Sequence, residues 1–211
     1  MKKLKSSLIN MALVLTIIAL VAGGVLAYVN SVTAPQIQKI NQENLDAGIR
    51  KVMGSDDIKV AAPQELQATI AGKEKTFVVY GVTNAQGENL GCAVQTCESG
   101  FGGELKVLVG FDPTGTILGY TILQHAETPG LGAKAGLWFQ KEGKGNIIGR
   151  NPGERKLQVS KITNDPEDVD AITASTITSR AFLLAIQNAY DQVIAKPADG
   201  TTGATQQAQK K

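Results

Sequence analysis

Residues 170–179 read DAITASTITS and place five hydroxyls, Thr173, Ser175, Thr176, Thr178 and Ser179, within seven positions. The amphipathic stretch AFLLAIQNAYDQVIA follows at once, so the hydroxyls stand where a helix should begin. Such side chains accept from the free N–H groups of a first helical turn, which is the ordinary work of an N-cap. The same N–H groups and the positive end of the helix dipole also form a phosphate site. The hydroxyls alone leave both readings open. A second run, HAETPGLGAKAG, spans residues 125–136. Its core, Thr128-Pro129-Gly130-Leu131-Gly132, suits neither a regular helix nor a central strand. The glycines let backbone approach a ligand closely and present N–H groups to it. A plain strand-to-helix turn would use the same residues. His125 reads as a strand-end histidine and Glu127 as a solvated charge unless the loop forms a site.

The segments that must position these runs alternate in a regular way. KTFVVYGV and LGCAVQTC flank TNAQGEN, a hairpin pattern. ELKVLVGF and TILGYTILQHA are joined by Asp112-Pro113-Thr114-Gly115, a strong turn signal. These four strands predict a mostly antiparallel sheet. Residues 55–74 are mixed and polar, without a clear element. AKAGLWFQKEG predicts a short helix bearing the lone Trp138, and KLQVSKI a further strand. A last helix is expected from about Ser179 to Ala195, closed by Pro197. The order of elements gives an α+β class, with helices flanking the sheet.

The N-terminus carries Lys2, Lys3 and Lys5 ahead of an uncharged stretch from Leu8 to Val29. That length crosses a hydrocarbon core of roughly 30 Å as a helix. The lysines place residues 1–7 in the cytoplasm and the remainder outside. A cleaved signal peptide, cut after Val25-Leu26-Ala27, is the competing reading. Residues 30–54 predict a stalk helix punctuated by Pro35 and Gly54, residues 55–196 a single domain, and residues 197–211 a disordered low-complexity tail. A net charge of +2 with scattered basic residues argues against nucleic acid. One histidine and two cysteines give no metal-ligand spacing. Cys92 and Cys97 point to opposite faces of a continuous strand, so a disulfide, which an oxidising compartment would permit, needs a turn between them, and unpaired or buried thiols are favoured. No GxGxxG fingerprint and no nucleophile–base pair is readable, so no catalytic residue is assigned.

Asp170, Thr173, Ala174, Ser175 and Thr176 resemble the flavinylation motif of membrane electron-transport subunits: an Asp, then Ser or Thr three residues on, then Gly-Ala-Thr. Ala174 stands where that pattern has Gly, and Ser175 where it has Ala. ETPGLG, the pair Trp138-Phe139 and the hydroxyl run before the last helix occur in this order in the FMN-binding domain family. GFGGELKVLVGFDPTGTILGYTILQHAETPGLG is similar to that family as well. Together with the single N-terminal span, residues 8–195 resemble the G-component family of Rnf ion-translocating electron-transport complexes. That family is related to the C component of the sodium-pumping NADH:quinone reductase.

The resemblance implies an FMN-binding domain in which a flavin transferase joins FMN to the Thr176 hydroxyl through a phosphoester. It implies that Thr173, Ser175 and Thr178 surround that attachment, and that Glu127, Thr128, Gly130, Leu131 and Gly132 lie against the flavin. It further implies an electron-transfer subunit in a bacterial inner membrane, with its soluble domain on the periplasmic side. Its partners would be the other subunits of a translocase that couples ferredoxin and NAD to ion movement. A stand-alone anchored flavin reductase and an anchored binding module without cofactor are the alternatives. Asp199 to Thr205 fits the attachment pattern more literally, but no helix or sheet follows it, so Thr176 is preferred.

Overall fold

The computed structural model describes residues 8–160 and 165–195. The predicted cytoplasmic leader 1–7, the end of KLQVSKI, and the predicted tail 197–211 with Thr205 lie outside those residues. The chain divides into two compact units, Met1–Leu45 and Asp46–Lys211.

The first unit holds most of helix α1, which spans Leu8–Met53. Its apolar stretch has a mean hydropathy of 2.5 and is long and apolar enough to cross a membrane. Thr16 and Thr33 turn their hydroxyls back to the carbonyls of Ala12 and Val29, at 2.9 and 2.8 Å. Such back-bonding satisfies a hydroxyl inside an apolar helix. The sequence predicts a second helix starting at Pro35, whereas the structure carries α1 through that residue. Proline costs one backbone bond, to the residue four before it. That residue, Ser31, is exposed, and strong helical sequence continues on both sides.

The second unit begins with the last two turns of α1. Gly48, Ile49, Val52 and Met53 are buried there, a spacing that puts all four on one helical face. Gly54, at φ +67°, ends the helix. Six strands follow: β1 Ile58–Val60, β2 Gln64–Ile70, β3 Lys73–Asn84, β4 Asn89–Ser99, β5 Glu104–Phe111 and β6 Ile117–His125. All pairings are antiparallel, in the order β1-β3-β4-β5-β6, with β2 also on β3. The four predicted strands are present as β3 to β6. β1 and β2 were not foreseen. KLQVSKI forms no described strand: Val159 makes one isolated parallel bridge to Val169. Arg155 secures this region by pairing with Asp165, Glu167 and Asp168.

β5 is buried on both faces, which accounts for its nearly unbroken apolar run. Leu105, Val107, Val109 and Phe111 belong to the main core cluster with Phe182, Leu183 and Ile186. Gly110 and Gly119 face each other in register on β5 and β6. A Cβ on either would stand 2.7 or 2.8 Å from the carbonyl oxygen of Val52, so the pair forms a notch for the end of α1. A 3₁₀ turn at Gly132–Lys134, helix α2 at Ala135–Trp138 and helix α3 at Thr176–Ala189 complete the unit. A π-helical turn, Tyr190–Ile194, extends α3. Phe139 stacks on Phe182 at 4.4 Å and Tyr120 meets Phe182 edge-on at 4.7 Å, joining α2, β6 and α3.

Both cysteines are unpaired on β4. Burial pushes the Cys92 thiol up to about 11. Burial, with the bond to Glu104 at 2.7 Å, pushes Cys97 up to about 12. Both are therefore protonated and weakly nucleophilic at neutral pH.

Candidate functional site

Three connections converge at one end of the sheet: the β4–β5 loop around Gly100–Gly103, the loop from Ala126 to Leu131, and the start of α3. Glu127 ties them together. It is only 6% exposed. Its Oε1 accepts from the backbone N–H of Phe101 at 2.8 Å and from Gly102 at 3.4 Å. Its Oε2 accepts from the Thr178 hydroxyl at 2.8 Å. The sequence suggested a solvated charge, and the structure instead buries this carboxylate among three donors. The glycines around it make room. A Cβ on Gly100 would stand 2.0 Å from Oε1, and one on Gly132 would stand 2.4 Å from Oε2.

The last helix starts at Thr176, three residues before the predicted start, with Ser175 in the N-cap position. No side chain caps it, so the hydroxyl run does not serve as an ordinary cap. Ser179 bonds inward, donating to the Ser175 carbonyl and accepting from the Ile172 N–H, both at 2.9 Å. Thr178 is taken by Glu127. The hydroxyls of Ser175 and Thr176 make no hydrogen bond among the described residues. The first-turn N–H groups are left open to an anion.

Just before the helix, Ala174 adopts φ +60°. A Cβ is strained in this left-handed region by about 1–2 kcal/mol. This is the position at which the attachment pattern has glycine. Ala174→Gly is therefore expected to stabilise the domain by about 0.5–1 kcal/mol, the relieved strain being partly offset by a freer unfolded chain. A raised urea midpoint would show it. An unchanged or lowered midpoint would mean that position 174 is not strained.

Between the three connections lies an open cavity of about 420 Å³, lined by Phe101, Glu127, Thr128, Leu131, Gly132 and residues 174–178. The structure thus brings together Glu127, Thr128, Leu131, Gly132, Ser175, Thr176 and Thr178 from the set that the sequence suggested. It does not bring Thr173 or Gly130 to the wall. Thr173 is exposed in the preceding turn. Gly130 sits at φ +76° with nothing within 4 Å of a Cβ, so the turn itself requires glycine there. At Gly132 the loop backbone lies close to Glu127 and Thr178. Phe101, 70% exposed, and Ile177, 56% exposed, were missed. A lone aromatic between glycines in GFGG was the available signal for the first. Trp138 donates to the Asp170 carbonyl at 2.8 Å, fastening the Trp-Phe segment to the start of the hydroxyl run.

Residues 100–191 match the FMN-binding domain model, and residues 1–52 match the RnfG N-terminal region. The G component of the Na(+)-translocating ferredoxin:NAD(+) oxidoreductase complex of Acetobacterium woodii is 34% identical over 181 residues, 82% of this chain and 84% of the relative. The chain belongs to the RnfG family of ion-translocating oxidoreductase complexes. The G component of the ion-translocating oxidoreductase complex of Vibrio cholerae is 31% identical, covering 86% of this chain and 88% of the relative. Its Shewanella baltica counterpart is 28% identical, with 88% and 89% covered.

The cavity fits FMN by its own chemistry. Phe101, Leu131 and Ile177 offer exposed apolar surface suited to a flavin ring, and the uncapped helix start with two unpaired hydroxyls suits a phosphate. Its size lies in the usual range for cofactor pockets. Among the described residues, no Lys or Arg lines it.

Proposed function

We propose that this chain is a membrane-bound electron-transfer subunit carrying FMN in the cavity at the start of α3, joined through a phosphoester to Thr176. It would act within a translocase that couples electron flow between ferredoxin and NAD to ion movement. The observation that carries the proposal is the meeting of the Glu127–Gly132 loop and the Ser175–Thr178 run at one cavity.

FMN supplies the redox chemistry when bound, and the protein supplies orientation and environment. Thr176 offers the hydroxyl for attachment, and the first-turn N–H groups of α3 stabilise the phosphoester charge. Thr128 and Ser175 provide polar wall beside it. Gly130 sets the turn that presents Leu131, and Thr173 begins the turn that leads into Ala174. Phe101, Leu131 and Ile177 would offer apolar surface to the ring. The likeness of residues 170–176 to the flavinylation motif makes a flavin transferase the partner in maturation. The other partners are the remaining subunits of the complex. Lys2, Lys3 and Lys5 hold the leading end in the cytoplasm of a bacterial inner membrane, and the FMN domain lies on the periplasmic side.

The test uses the full chain expressed with and without a flavin transferase. A band that fluoresces after denaturation, present only with the transferase, is expected. Flavin released on denaturation would replace covalent attachment with simple binding, and no flavin at all would favour an anchored module without cofactor. In the same cells, protease added to spheroplasts should digest the domain. Digestion confined to inverted vesicles would reverse the topology.

A further inference from the structure

Among the described residues, the cavity wall carries one ionisable side chain, Glu127, and its carboxylate meets only neutral donors. Both oxygens act as acceptors, the pattern of an ionised carboxylate. No salt bridge involves it among the described residues. A buried charge without a counter-ion is weakly screened, so its field reaches across a small cavity. The same carboxylate fixes the backbone of Phe101 and the hydroxyl of Thr178, so its position is set from two sides.

We propose that Glu127 sets the reduction potential of the flavin as a fixed negative charge on the cavity wall. This rests on the reading that FMN occupies this cavity. Each electron the flavin accepts adds negative charge unless a proton follows. A carboxylate beside the ring opposes that gain and makes reduced flavin a stronger donor. The hydroxyl of Thr178 partly offsets the charge by donating to Oε2. Glu127 is thus a positioning residue for Phe101 and Thr178 as well as an electrostatic one. The two roles separate by substitution. Glu127→Gln keeps the shape and the acceptor for Phe101, and the Thr178 hydroxyl can reverse to accept from the new amide. Only the charge is lost. Thr178→Val keeps the charge and removes a donor.

The experiment is a spectroelectrochemical titration of the full flavinylated chain and both variants, with thermal unfolding measured alongside. E127Q should raise the midpoint by at least the equivalent of tenfold in the oxidised-to-reduced ratio, about 30 mV for a two-electron couple. T178V should move it the opposite way. A fully flavinylated E127Q whose midpoint moves by less than tenfold, or falls, overturns the proposal. Should E127Q take no flavin, T178V decides: a lower midpoint supports the proposal, and an unmoved or higher one overturns it. Loss of flavin from both would make Glu127 a structural brace and overturn it too. T176A, run on the same gel, separates this from the site assignment. A fluorescent T176A band strikes the assignment, whereas a normal band pattern with an unmoved midpoint strikes only the role of Glu127.

Discussion

Alanine at position 176 is expected to abolish the covalent flavin completely while leaving the apo domain folded. The proposed ester would use the Thr176 oxygen, and alanine has none. The hydroxyl run could have been a helix cap, whose loss costs about 0.5–2 kcal/mol. The structure removes that cost from Thr176, because the N-cap position is Ser175 and no side chain caps the helix. Thr176 is half-buried and its hydroxyl makes no bond among the described residues. Apo T176A should therefore unfold within about 0.5 kcal/mol of the apo parent. Flavin fluorescence on a denaturing gel and thermal unfolding of the apo forms are the two measurements. A band that persists in T176A sinks the assignment. Ser175, the neighbouring hydroxyl without a hydrogen bond among the described residues, then becomes the acceptor to test, and Thr205 after it.

Valine at position 132 is expected to damage both stability and flavin loading. A Cβ there would stand 2.4 Å from Glu127 Oε2, 2.8 Å from Thr178 Oγ1 and 3.0 Å from Glu127 Cβ. Glu127 cannot simply swing aside, since it is buried and its move would strand the N–H of Phe101 and the hydroxyl of Thr178. Overpacking and the loss of these bonds together should cost about 3–5 kcal/mol. That corresponds to a fall in Tm of about 6–20 °C for a domain of this size. Gly130→Val tests the contrast. It strains a backbone at φ +76° but meets no atom, so it should be milder and leave the Glu127 contacts intact. Equal effects at the two glycines would contradict the role given to Gly132.

Much of this architecture could be read from the sequence because its signals are local. Alternation marked β3 to β6, and Asp112-Pro113-Thr114-Gly115 marked the turn between β5 and β6. The failures have physical causes. β2 alternates at Leu66, Ala68 and Ile70, but its turn into β3 is Ala71-Gly72, both at positive φ. Such turns are usually signalled by Asn-Gly or Asp-Gly, and alanine hid this one. Pro35 reads as a helix start because the missing N–H is harmless there, yet an exposed helix tolerates it internally. The helix start at Thr176 was placed too late because a run of hydroxyls has no periodicity of its own. At the site, the two loops could be recognised from their glycines and hydroxyls. The burial of Glu127 could not, because it depends on Gly100, Gly102 and Thr178 arriving from distant parts of the chain.

The notch formed by Gly110 and Gly119 has a mechanical meaning. With the Val52 carbonyl seated against two strands that face each other in register, the final turns of α1 move only as the sheet moves. They cannot act as a swivel. Within this unit, the last two turns of α1 thus behave as part of the sheet and not as a separate arm.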